Sequence, residues 1–108
     1  MQQLARLATL AAVLTIVVLR AFAQDASLAA GHDLARRVCV ACHVVDGERP
    51  SQPLIAGAPA FRDIANTPGM TATALHVILT TSHRKMPNLL LKPEEMEDVI
   101  VYILSLHR

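Results

Sequence analysis

Tryptophan is absent from this chain of 108 residues, and only one tyrosine and two phenylalanines accompany its aliphatic side chains. A core rich in large rings is therefore excluded. Cysteine is scarce too, with two residues, Cys39 and Cys42, separated by only two others. A bridge across so short a gap removes little chain entropy, so a disulfide-stapled scaffold is excluded as the source of stability. No run of like charge exceeds Arg36-Arg37 or Glu94-Glu95, and the formal net charge is +1. Without a basic face or an aromatic platform there is no footprint for nucleic acid. No internal repeat or low-complexity tract appears, so a single domain is expected.

The chain opens MQQLARLATLAAVLTIVVLRAFAQD, with Arg6 ahead of an uncharged stretch from Leu7 to Leu19. Those 13 residues suit the core of an export signal and fall short of the ~20 that a spanning helix needs. Ala21 and Ala23 then provide small residues at the −3 and −1 positions of a cleavage site before Gln24. The expected organisation is a signal peptide over 1–23 and one domain over 24–108, with a periplasmic destination. Retained, the segment would act as a membrane anchor. Cleavage removes Arg6 and Arg20 from the ten Lys+Arg, leaving eight against nine Asp+Glu. So small and neutral a domain, with Phe61 and Tyr102 as its aromatics, needs something further to fill its core.

Cys39 and Cys42 stand in VCVACHVV, with His43 directly after the second thiol. Three chemistries use such a pair. A redox dithiol sits after a strand in a βαβ pattern, and no strand pattern precedes this one. A zinc site needs two more ligands, and His76 and His83 are seven apart, outside the usual H-x₃₋₅-H spacing. Covalent attachment of haem needs only what is present: two thiols to add across two vinyl groups of one porphyrin, and an imidazole beside them for the iron.

The flanking segments read as helices. SLAAGHDLARRVC has Ser27 as a candidate N-cap and Leu28, Leu34 and Val38 as apolar positions, with His32 read as solvated. APAFRDIAN forms a short helix opened by Pro59. MTATALHVILTTSH forms a longer one capped by Thr71 or Thr73, with Leu75, Ile78 and Leu79 inward. KPEEMEDVIVYILSLHR begins with Pro93 and acidic residues, ends with His107 and Arg108, and carries Met96, Val99, Ile100, Ile103 and Leu106 as a stripe. With no alternating strand in view, the fold class is all-α.

The chain resembles the class I monohaem cytochromes c over essentially its whole length from Gln24. The likeness rests on Gly31 eight residues before Cys39, on Cys39-Val40-Ala41-Cys42-His43, on Met86-Pro87 downstream, and on the terminal helix with Tyr102. It implies a bundle of about four helices wrapped around one covalent haem c, with thioethers to Cys39 and Cys42. It also implies a close crossing of the first and last helices, with Gly31 meeting Tyr102. His43 and Met86 become the axial ligands of the iron, His83 being the rival to Met86, and a proline carbonyl supports the His43 ring. Pro53 and Pro59 are the candidates, with Pro59 preferred. The tryptophan and additional tyrosines that often bind the haem propionates are missing, and Arg49, Arg62, Arg84 and Lys85 are candidate counter-charges.

The implied function is one-electron transfer by a protein that is not itself an enzyme. Redox proteins, a periplasmic dehydrogenase or a terminal oxidase or reductase, would be its partners, and a monomer is expected. Two alternatives are a dedicated subunit of a dehydrogenase and a ligand sensor with a labile Met86 bond.

Overall fold

The computed structural model describes residues 1–46, 57–81 and 86–108, and all regular structure among them is helical. Helix α1 covers Gln2–Val38 and passes into a 3₁₀ turn at Cys39–Ala41. Then come α2 (Phe61–Ala65), α3 (Ala72–Thr80) and α4 (Pro93–Ser105). The fold is all-α, with four α-helices and no β-strand among the described residues.

Helix α1 departs from expectation at its start. Ser27 does not open a helix; it lies inside one that runs unbroken from Gln2. Residues 20–27, RAFAQDAS, contain no Pro or Gly and three alanines, so nothing local stops propagation. The Ser27 hydroxyl donates instead to the Asp98 carboxylate on α4. The first part of α1 leaves Leu7, Leu10, Leu14, Val17 and Phe22 exposed. By length and composition this helix could cross a membrane, and none of its apolar window is buried in the protein.

The centre of the domain is the crossing of α1 and α4. Gly31 is buried there, and a Cβ at that position would overlap the Asp98 carbonyl and lie 2.9 Å from the Val99 amide nitrogen. The missing side chain lets two backbones touch, which brings Leu34 and Ala35 into the same core as Val99, Ile100 and Ile103. The closest approach to Gly31 is made by the Asp98–Val99 backbone, one turn before Tyr102 on the same helix. Tyr102 packs its ring on His32, with centroids 5.0 Å apart.

Local signals place the remaining elements. Thr71 caps α3, its hydroxyl accepting the Ala74 N–H at 3.1 Å. Pro93 stands at the first turn of α4, and the Glu95 carboxylate accepts the Lys92 N–H at 3.0 Å. Helix α4 ends at Ser105, so His107 and Arg108 lie just beyond it. There Asn66 receives the Arg108 N–H at 3.1 Å and ties the tail to the end of α2. Leu75 is buried beneath α3, while Ile78 on the same helix stays more than a third exposed.

Candidate cofactor site

Where α1 stops at Val38, the chain tightens into the 3₁₀ turn, and the Cys39 carbonyl accepts two amides, from Cys42 at 3.0 Å and His43 at 2.9 Å. This turn gathers both thiols and the imidazole on the wall of a single cavity. The cysteines are unbridged and half-buried. Burial above all, with the neighbouring Cys42 second, pushes the Cys39 thiol up to about 11. Redox dithiols depend on a lowered thiol, so this environment opposes the dithiol reading.

The His43 ring is oriented from both sides. Its Nδ1 lies 2.7 Å from the Pro59 carbonyl oxygen. A carbonyl only accepts, so Nδ1 carries the proton and donates, leaving the Nε2 lone pair for a metal. Phe61, two residues beyond Pro59, packs against the ring at 5.4 Å between centroids, and its N–H donates to the Val44 carbonyl at 3.1 Å. Pro53 lies outside the described residues.

The cavity measures about 440 Å³ and its wall is mainly apolar. Cys39, Cys42 and His43 line it at the end of α1, and Met86, Pro87, Leu89 and Leu91 line it from the segment before α4. Ile64, Leu75, Ile78 and Leu79 come from α2 and α3, and Val99 and Ile103 from α4. Ile78 thus faces the cavity, which accounts for its exposure. Met70 also lines this space, whereas Met96 is buried in the core. His83, Arg49, Arg84 and Lys85 lie outside the described residues.

Behind the His43 turn stands a polar cluster. His32 keeps about 38% of its side chain exposed, and beyond that its Nε2 meets one oxygen of the Asp46 carboxylate, while the Tyr102 hydroxyl donates to the other. Burial pushes the Asp46 carboxyl up, but hydrogen bonds from Tyr102 and His32 and the charges of His32 and Arg36 outweigh it. The net result lies below the usual carboxylate range. Burial, followed by the hydrogen bond to Asp46 and its negative charge, pushes the Tyr102 phenol well above its ordinary value. Arg62, a candidate propionate partner, acts electrostatically on Tyr102.

Sequence reasoning missed Phe61 as the packing partner of His43, and it missed the Asp46 cluster. Phe61 was traceable in principle as the one phenylalanine after Gln24. Asp46 carried no local signal.

The donor set is two thiols, an imidazole with Nε2 free and a thioether, around an apolar space of the size that ligands occupy. It fits a macrocycle fastened by two cysteines and carrying iron. Among the described residues no group of three or more His, Cys, Asp or Glu side chains is placed to hold a metal, so a zinc tetrad is not assembled there.

Comparison with known proteins follows the same direction. A family model described as cytochrome c matches residues 28–107. Cytochrome c-552 of Bradyrhizobium diazoefficiens is 39% identical over 80 residues, covering 71% of this chain and 74% of the relative. No solved structure matches the chain.

Proposed function

Since this chain belongs to the cytochrome c family, we propose that it is an exported electron carrier whose haem is joined to Cys39 and Cys42 and ligated by His43 and Met86. Membership brings one covalent haem c with its iron, an electron-transfer role and redox proteins as partners, and Cys39 and Cys42 fit the C-x-x-C-H motif. The observation that carries the finer reading is the shared cavity, on which both thiols, the His43 ring and Met86 converge.

Bound there, the haem supplies reversible one-electron exchange at iron. The residues set its conditions. The Pro59 carbonyl holds the His43 proton at Nδ1 and so directs Nε2 inward. A thioether from Met86 favours the ferrous state and raises the potential relative to a second imidazole. Pro87 stiffens the chain directly after Met86. Leu75, Leu79, Val99 and Ile103 give the cavity an apolar wall. With His43 and Met86 both holding the iron, no position would be left for a substrate, and the protein would act as a carrier and not as an enzyme.

The domain spans 24–108 in this reading, and residues 1–23 are an export signal to the bacterial periplasm, removed before Gln24. Two observations support that division: the family match begins at residue 28, and the apolar helix ahead of it buries nothing. A periplasmic dehydrogenase or a terminal oxidase or reductase would then exchange electrons with it.

The test is the visible spectrum of protein from cells able to attach c-type haem, ferric and ferrous, with and without CO. The expected result is a low-spin haem indifferent to CO in the unaltered protein and a CO-responsive one in Met86→Ala. A response to CO in the unaltered protein would remove Met86 as a firm ligand, and absence of haem would remove the reading altogether.

A further inference from the structure

The chain after His43 is fixed at each residue. The Val44 carbonyl accepts the Phe61 N–H at 3.1 Å, Val45 is 1% exposed, and the Asp46 carboxylate is gripped by His32 and Tyr102. Asp46 is the one non-glycine position with positive φ among the described residues, at 54°. A side chain holds that left-handed conformation only where its surroundings determine it. Here the determinants are one residue from α1 and one from α4. A row of rings continues the connection: His32 on Tyr102 at 5.0 Å, Tyr102 on Phe61 at 6.2 Å, Phe61 on His43 at 5.4 Å. Phe61 also follows Pro59 closely, so the packing that seats the His43 ring seats the carbonyl that its Nδ1–H meets.

We infer that His32, Asp46 and Tyr102 are positioning residues for the His43 side of the haem site and that the proton on His32 is coupled to the oxidation state of the iron. The inference rests on the assignment of His43 as a ligand. With His32 neutral, the Asp46 charge loses one of its two positive neighbours, Arg36 remaining, and favours ferric iron. A proton on His32 cancels that charge and favours ferrous iron. Coupling is reciprocal, so reduction tightens the hold of His32 on its proton, and the potential falls with rising pH over the range in which His32 loses that proton. The other charges facing the cluster are Arg36 from α1, toward Asp46 and Tyr102, and Arg62 from α2, toward Tyr102. Neither guanidinium changes charge in that range. Nearby, Asp33 pairs with Arg37 at 2.9 Å, and Asp98 accepts from Ser27.

The test uses the haem-loaded protein and its His32→Gln, Asp46→Asn and Tyr102→Phe variants. Reduction potential is measured by spectroelectrochemistry from pH 5 to 9, and the His32 ring is titrated by NMR in both oxidation states. The expected difference in His32 proton affinity between the two states is about threefold, the scale of a unit charge acting across a protein at a high effective dielectric. At 59 mV per tenfold for one electron, that is about 28 mV. His32→Gln loses the step and stays at the high-pH potential, Asp46→Asn lies above the unaltered protein at high pH, and Tyr102→Phe moves the potential without removing the step. A low-spin His/Met spectrum with a flat pH profile, an unchanged step in His32→Gln, or equal His32 titrations in both states would overturn the inference alone. Loss of the low-spin spectrum in the unaltered protein would overturn the ligand assignment and this inference together.

Discussion

Gly31→Ala is the substitution whose cost the crossing of α1 and α4 states most directly. The added methyl would overlap the Asp98 carbonyl and approach the Val99 amide nitrogen to 2.9 Å. Both are backbone atoms inside α4, so no side-chain rotation relieves the contact and the helices must part. Overpacking typically costs ~1–3 kcal/mol, and a backbone clash belongs at the upper end. Alanine returns ~1 kcal/mol, because glycine is the weaker helix former. The net loss is about 2 kcal/mol, which for a domain of this size lowers the midpoint by about 8–16 °C at roughly 4–8 °C per kcal/mol. Thermal melts of the haem-loaded protein followed by helical circular dichroism read this shift. Gly69→Ala is the control, because Gly69 has φ +78°, open space around it and no place on the cavity wall. It should lose only the left-handed backbone cost of about 1–2 kcal/mol, with no steric part. A Gly31→Ala midpoint equal to or above the unaltered protein would refute the close approach of the two helices.

Thr71→Ala should lower stability by about 1 kcal/mol through loss of the α3 cap, read as a shift in denaturant midpoint at constant slope. Replacing Cys39 or Cys42 singly by Ser should leave haem bound to the chain on a denaturing gel, whereas the double replacement should release it completely. The Asp46 carboxyl is lowered in the folded state, so its contribution is present above the unfolded value of ~3.9 and is lost as pH falls through the folded value. Asp46→Asn should therefore be less stable than the unaltered protein at pH 7, with the difference closing below about pH 4. The Tyr102 phenol is raised, so its contribution is present below ~10 and is lost as pH rises further. Tyr102→Phe should converge with the unaltered protein on the alkaline side, as equilibrium melts at each pH will show.

Features written in adjacent residues were legible in the sequence. The spacing of Cys39, Cys42 and His43 announces a covalent cofactor, Thr71 and Thr73 announce the start of α3 between them, and Pro93 with its glutamates announces α4. What escaped depends on residues far apart in the chain. Ser27 has the chemistry of a cap, yet the helix continues through it because no breaker stands before it, and its hydroxyl serves Asp98 instead. His32 has the sequence context of a solvated position, and only the fold brings Asp46 and Tyr102 to it. Gly31 was tied to the right helix, and its closest approach, to the Asp98–Val99 backbone, was not legible, because helix periodicity gives the face of a residue and leaves its level along the partner open.

The reach from Ser27 to Asp98 spans 71 residues, and nearly half of the buried core, Met96, Val99, Ile100, Tyr102 and Ile103, comes from the last helix. A chain emerging from its N-terminus therefore carries α1 with nothing to close against until its final residues arrive. A contact of such separation forms only once the entropy of loop closure has been met. Helix α1 therefore keeps its buried face open until α4 docks on it, and the last helix acts as the latch of the domain.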